Sequence, residues 1–134
     1  MSSLLIRVPD RPWTINVERN WHHHRRAQNT KTVRDASTEL WHRAAAAKGI
    51  VRLEPPVAVT CWASYPTRRS LPDVGAIFPA CKAAIDGLVD AGLLEDDDES
   101  WVSQILFRRA QIDPSAGNGM FVLVTEMSGR DAQG

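Results

Sequence analysis

Residues 95–99 of this 134-residue sequence are five consecutive acids, and Asp73 stands before the helix-like stretch that leads to them. Like charges in a row repel, and the helix C-terminus just upstream already carries about half a negative charge. A hard divalent cation would reverse that balance, because Mg2+ is held through one or two carboxylates, waters and substrate phosphates. Such a site needs a second supplier of oxygen, and Asp73 is the candidate. Asp73 and Asp97 flank a helix of about 14 residues, hence about 20 Å long. Five or six extended residues cover about that distance, so a chain reversal at Gly92 allows the two carboxylates to meet. An EF-hand does not fit, since the sixth loop position lacks Gly and the twelfth lacks Glu.

The helix between these acids carries chemistry of its own. Lys82, Asp86 and Asp90 fall at i, i+4 and i+8, opposite an apolar stripe of Ile77, Cys81, Ala84, Ile85 and Leu88. Lys82 can form a surface pair with Asp86, although Lys preceding Asp is the weaker orientation.

Zero net charge hides a division along the chain. Residues 1–70 hold twelve Lys/Arg against five Asp/Glu, and residues 71–134 hold four against eleven. Such a division suits a basic face for a polyanion beside an acidic pocket for a cation, unless the halves interleave in space. Arg19, His22, His23, His24, Arg25 and Arg26 lie beside Trp13 and Trp21, a mixture fit for phosphate contacts and stacking. The three histidines do not make a zinc site alone, because adjacent ligands cannot close a tetrahedron. Arg68 and Arg69, shortly before Asp73, are placed to grip a phosphate, while Arg108 and Arg109 would face opposite sides of a strand.

No apolar run approaches the roughly 20 residues that span a bilayer. The short apolar N-terminus lacks the basic flank and cleavage site of a signal peptide. Cys61 and Cys81 sit in apolar segments and predict buried, reduced thiols in a cytoplasmic protein.

The elements needed to position these groups follow from periodicity and breakers. Residues 3–9 predict a strand ended by Pro9, residues 10–29 a long functional loop, and residues 30–48 a helix closed by Gly49. Residues 56–66 predict a central strand. A helix starting between residues 75 and 78 runs to about Ala91, since Pro79 is tolerated only in a first turn. Residues 101–112 and 119–127 predict two strands joined by a turn-rich loop, and the tail from residue 128 is expected to fray. The expected fold is α/β (α+β), a small mixed sheet of about four strands with two main helices packed on it, in a single domain.

The stretch "RRSLPDVGAIFPACKAAIDGLVDAGLLEDDDESWV" resembles the core of the RusA-type Holliday-junction resolvases. The resemblance is densest over residues 67–102, in Lys82, in "KAAIDGLVDAG" and in "DDD" (96–98), and extends over residues 3–127. It implies a metal-dependent endodeoxyribonuclease that resolves four-way or branched DNA by paired cuts, working as a homodimer with Mg2+, for which Mn2+ can substitute. It implies metal ligation by Asp73 and Asp97, with Asp96 or Asp98 as neighbour, and a catalytic role for Asp73, Lys82 and Asp97. Arg19, Trp21, His23, Arg25, Arg26, Arg68 and Arg69 become the DNA-binding residues, and residues 10–29 a DNA-contacting loop. One departure stands out. The family's turn carries Asp-x-Asp-Asn, whereas "DVGA" here has Gly75 and Ala76 at the second Asp and the Asn. Asp96–Asp98 then supply the missing oxygen, or turnover falls, or the protein binds junctions without cutting them; selectivity for branched DNA in general is a further possibility.

Overall fold

In the strand Val57–Tyr65 (β2), Val57, Val59, Cys61, Ala63 and Tyr65 are buried on one face. That alternation gives the sheet one face to be covered by helices. The computed structural model describes residues 2–127, and the predicted tail, residues 128–134, lies outside them. Strand β1 (Ser3–Pro9) buries Leu4, Ile6 and Val8 on the same side, and so does the C-terminal strand with Met120, Val122 and Val124. In chain order β1 is followed by α1 (Ile15–Glu18), α2 (His23–Lys48), β2, a 3-10 turn (Val74–Ile77) and α3 (Phe78–Asp90). Then come β3 (Val102–Phe107), β4 (Gln111–Ile112) and β5 (Gly119–Glu126).

The mixed sheet has the order β1-β5-β2-β3, with β4 beside the end of β2. Strand β5 runs antiparallel to β1 and β2, while β3 runs parallel to β2. Parallel neighbours need a crossover, and α3 provides it. The two main helices pack on each other and on the β1/β5 side of the sheet. Trp41 of α2 is fully buried at their contact, and its indole Nε1 donates to the Ala84 carbonyl of α3 at 2.9 Å.

Two sequence expectations need correction. Residues 10–29 are not a structureless loop: Thr14 caps α1, and α2 begins at His23, seven residues before the predicted start. The added turns are polar all round, so no apolar period announces them, yet Arg, Ala and Gln favour a helix. Residues 101–112 are not one strand, because the pairing with β2 breaks at 108–110 and resumes as β4. The loop after β4 leads to β5 as expected, and β5 inserts between β1 and β2. Gly92 does reverse the chain as expected, at φ 77°. Leu93 N–H then bonds the Leu88 carbonyl at 3.3 Å and its side chain is buried.

The other face of the sheet is bare. Leu5, Leu123, Thr60 and Leu106 lie opposite one another across all four strands. Leu5 and Leu106 are 49% and 56% exposed, which marks this apolar row as open to solvent.

The helix crossing is tight enough to test. A Cβ added at Gly87 would lie 2.9 Å from the Arg34 carbonyl oxygen and 2.9 Å from Ser37 Cβ. Ala normally improves on Gly inside a helix. Here Gly87→Ala is expected to destabilise the protein by about 1–3 kcal/mol in urea unfolding, from overpacking. A stability equal to or above wild type would show that the helices have room to part.

Candidate active site

Helix α3 presents Lys82 and Asp86 one turn apart, and Lys82 Nζ donates to Asp86 Oδ1 at 2.6 Å. The same ammonium donates to Asp97 Oδ2, so one cation is shared by two carboxylates. Asp97 reaches it because the chain turns back after Gly92. Leu93 and Leu94 bury themselves, and the Leu93 carbonyl accepts from Leu53 N–H at 2.9 Å. These anchors bring the acidic segment back alongside α3.

The local hydrogen bonds decide which acid of the run takes part. Asp96 Oδ1 accepts from the Asp97 backbone N–H at 2.7 Å. Asp98 Oδ1 is occupied by the N–H and hydroxyl of Ser100, at 2.9 and 2.5 Å. Glu95 pairs with Arg52 at 2.7 Å. Asp97 is therefore the one that faces Lys82. Asp90, at the helix end where a negative charge is unfavourable, is held by both arms of Arg34 at 2.5 and 2.8 Å.

Burial and charge set the protonation of the trio. Burial pushes the Lys82 pKa down, but hydrogen bonds to Asp86 and Asp97 outweigh it and the net shift is upward. Burial raises the Asp86 carboxyl, Lys82 opposes this, and the neighbouring Asp97 adds to the rise. Lys82 holds Asp97 below the usual carboxylate range. Lys82 and Asp86 border an exposed recess with Ile15, Glu18 and Phe78, and Asp97 reaches the same ammonium through its hydrogen bond to Lys82.

Asp73 is placed differently from the expectation. It opens the 3-10 turn, makes no capping hydrogen bond, and lines a cavity of about 190 Å³ with Arg68, Arg108, Arg109 and Tyr65. Among the described residues Asp73 does not join any two of Asp96, Asp97 and Asp98 in a group whose ligand atoms all lie within 4.8 Å of one another. The Tyr65 hydroxyl beside this cavity is buried without a hydrogen-bond partner. Burial raises its pKa, although the Arg11 guanidinium 4.6 Å from the ring centroid opposes the rise. Three guanidinium-bearing residues and an unsatisfied phenol suit a phosphate group. Arg69 does not line this cavity; its N–H bonds Thr67 Oγ1 at 3.3 Å.

The remaining sequence-predicted residues gather where α1 meets α2. Arg25 lies over the Trp21 ring, 4.5 Å from its centroid. The exposed Arg19 caps the end of α1, and Arg26 lies in the first turn of α2. His22, His23 and His24 stack, with centroids 4.1 to 5.0 Å apart, and are the trio among the described residues whose ligand atoms all lie within 4.8 Å. His22 Nδ1 is already taken as the acceptor for His24 N–H.

Sequence reasoning missed Asp86 as a site carboxylate and treated it only as a salt-bridge partner. Its i+4 spacing from Lys82 was the available signal. It also left Arg108, Arg109 and Tyr65 unassigned, because their convergence depends on the break between β3 and β4.

Acid titration checks the trio. Asp97 has a lowered folded pKa, so its stabilising effect is present above the unfolded value of about 4 and fades as pH falls through the folded one. The midpoint of thermal unfolding, followed from neutral to acid pH, is therefore expected to fall less steeply below about pH 4 in Asp97→Asn than in wild type. Equal acid limbs would separate Asp97 from Lys82.

Neither a known protein family nor a curated protein matches the sequence.

Proposed function

We propose that this protein is a metal-dependent endodeoxyribonuclease that cuts four-way DNA junctions, with Lys82, Asp86 and Asp97 at the reacting centre. The observation that carries the reading is the ammonium of Lys82 held between two carboxylates supplied by α3 and by the returning acidic segment. Lys82 takes Oδ1 of Asp86 and Oδ2 of Asp97, so the second oxygen of each carboxylate would be left to hold a Mg2+ or Mn2+, which needs only one or two carboxylates beside waters and phosphate oxygens. A bound divalent ion would supply a water of lowered pKa and neutralise charge on the phosphate. Lys82 has three N–H donors and uses two on the carboxylates, leaving one for a phosphate oxygen. Its raised pKa keeps that donor charged at neutral pH.

Arg68, Arg108 and Arg109 around Asp73 provide a second seat for the phosphate backbone, and the Arg19–Arg26 region a third. Each phosphate contact should add about one unit to the salt dependence of binding. The bare leucine row on the sheet supports a homodimer, since two matched cuts call for two centres related by two-fold symmetry. Among the described residues no helix is long and apolar enough to cross a membrane, and Cys61 and Cys81 are buried and free.

A non-cleaving junction-binding role is the second reading. It draws on Asp73 standing among guanidinium groups, and on Gly75 and Ala76 in the 3-10 turn. The two positions are not equivalent: a Cβ on Gly75 meets nothing within 4 Å, whereas Ala76 is buried.

A synthetic four-way junction incubated with and without Mg2+ separates the readings. Paired nicks that need Mg2+ and fall by at least about a hundredfold in Asp97→Asn and Lys82→Ala are expected. Retarded but uncut junctions would favour the binding role, and equal cutting of flaps a broader branched-DNA nuclease.

A further inference from the structure

Between the end of β1 and α2 lies a cavity of about 310 Å³, at the lower end of the range for small-ligand pockets. Trp13 and Trp21 form aromatic walls, their ring centroids 6.1 Å apart and their planes inclined by 37°. Val33 and Met120 supply apolar surface, while Asp10 and Asn29 bring polar groups to the lining. The Asn29 amide nitrogen donates to the Arg25 carbonyl at 2.9 Å, which leaves its own carbonyl oxygen as an acceptor. Arg11 lines the cavity beside Asp10, and Arg25 lies over the Trp21 ring that forms one wall.

Aromatic walls select a planar ring, and guanidinium groups at the rim select the phosphate chain attached to it. Nucleobase stacking on aromatic side chains meets both demands and tolerates any base. The cavity is also wired to the recess that holds Lys82. Trp13 Nε1 donates to Glu18 Oε2 at 3.0 Å, and Glu18 borders the recess together with Lys82 and Asp86. Ile15 and Glu18 of the four-residue α1 border the recess, and Trp13, just before α1, lines the cavity.

Resting on the nuclease reading above, we propose that this cavity takes one unstacked nucleobase of the strand whose phosphate lies against Lys82. Bases in continuous duplex are stacked and paired, whereas a branch point yields one at lower cost. The cavity would thus make the protein select open branch points over plain duplex.

The test uses a metal-free four-way junction carrying 2-aminopurine beside the branch point, and a duplex with the same label. Wild-type protein is expected to change the emission of the junction and not of the duplex. Replacing the labelled nucleotide by an abasic one is expected to weaken binding about tenfold. Trp21→Ala, which removes a wall, and Ala36→Trp, which fills the cavity from an exposed position on α2, are both expected to abolish the emission change. Circular dichroism confirms that each variant is folded. An emission change that persists at wild-type size in both variants overturns the proposal. Cutting of the junction by wild type with Mg2+ is scored separately. Cutting without any emission change removes the base cavity and leaves the nuclease; an emission change lost in both variants, without cutting, removes the nuclease and keeps the cavity.

Discussion

The sharing of one lysine ammonium by Asp86 and Asp97 ties together parts of the chain that are otherwise remote in structure. Asp86 arrives on a helix whose apolar side is buried against the sheet, and Asp97 on a loop anchored by Leu93 and Leu94. Two carboxylates brought this close would repel if Lys82 were absent, and the upward shift of Asp86 already registers that tension. The same contact is half-exposed to solvent. Its value to folding is therefore modest, since ion pairs open to water contribute little. Lys82 on Asp86 and Asp97, Arg52 on Glu95 and Arg34 on Asp90 divide the compensation of this concentration of acid among three cations.

The rest of the fold keeps that arrangement rigid. The Trp41 indole bonded to Ala84 and the close approach at Gly87 fix α3 against α2. Arg34 on Asp90 holds the end of α3 from which the acidic segment departs. Parallel pairing of β2 with β3 then decides where that segment must finish, because Val57 N–H bonds the Trp101 carbonyl at 2.8 Å. The acids from 95 to 99 are thus stretched between a fixed helix end and a fixed strand start, and little freedom remains for Asp97.

Much of this was legible from residue order. Pro79 located the first turn of α3, Gly92 the reversal, and the i, i+4 spacing put Lys82 and Asp86 on one face. The choice among Asp96, Asp97 and Asp98 was not legible, because it depends on which side chains cap their own turn. Asp73 was expected beside Asp97 on a length argument, and length permits a meeting without requiring one. The structure sets Asp73 among Arg68, Arg108 and Arg109 instead, a neighbourhood created by the end of β3 lying near the 3-10 turn. Helix α2 began earlier than its pattern suggested, since an exposed helical half carries no apolar period to read.

The bare side of the sheet has a geometric consequence. It lies opposite the layer that carries α2 and α3, so two copies joined back to back through it would turn their helices outward. Each copy would keep a complete Lys82 centre built from its own chain, and the pair would expose these centres on opposite flanks of the assembly. The span between the two Lys82 centres would then be set by the thickness of two stacked sheets and their helices.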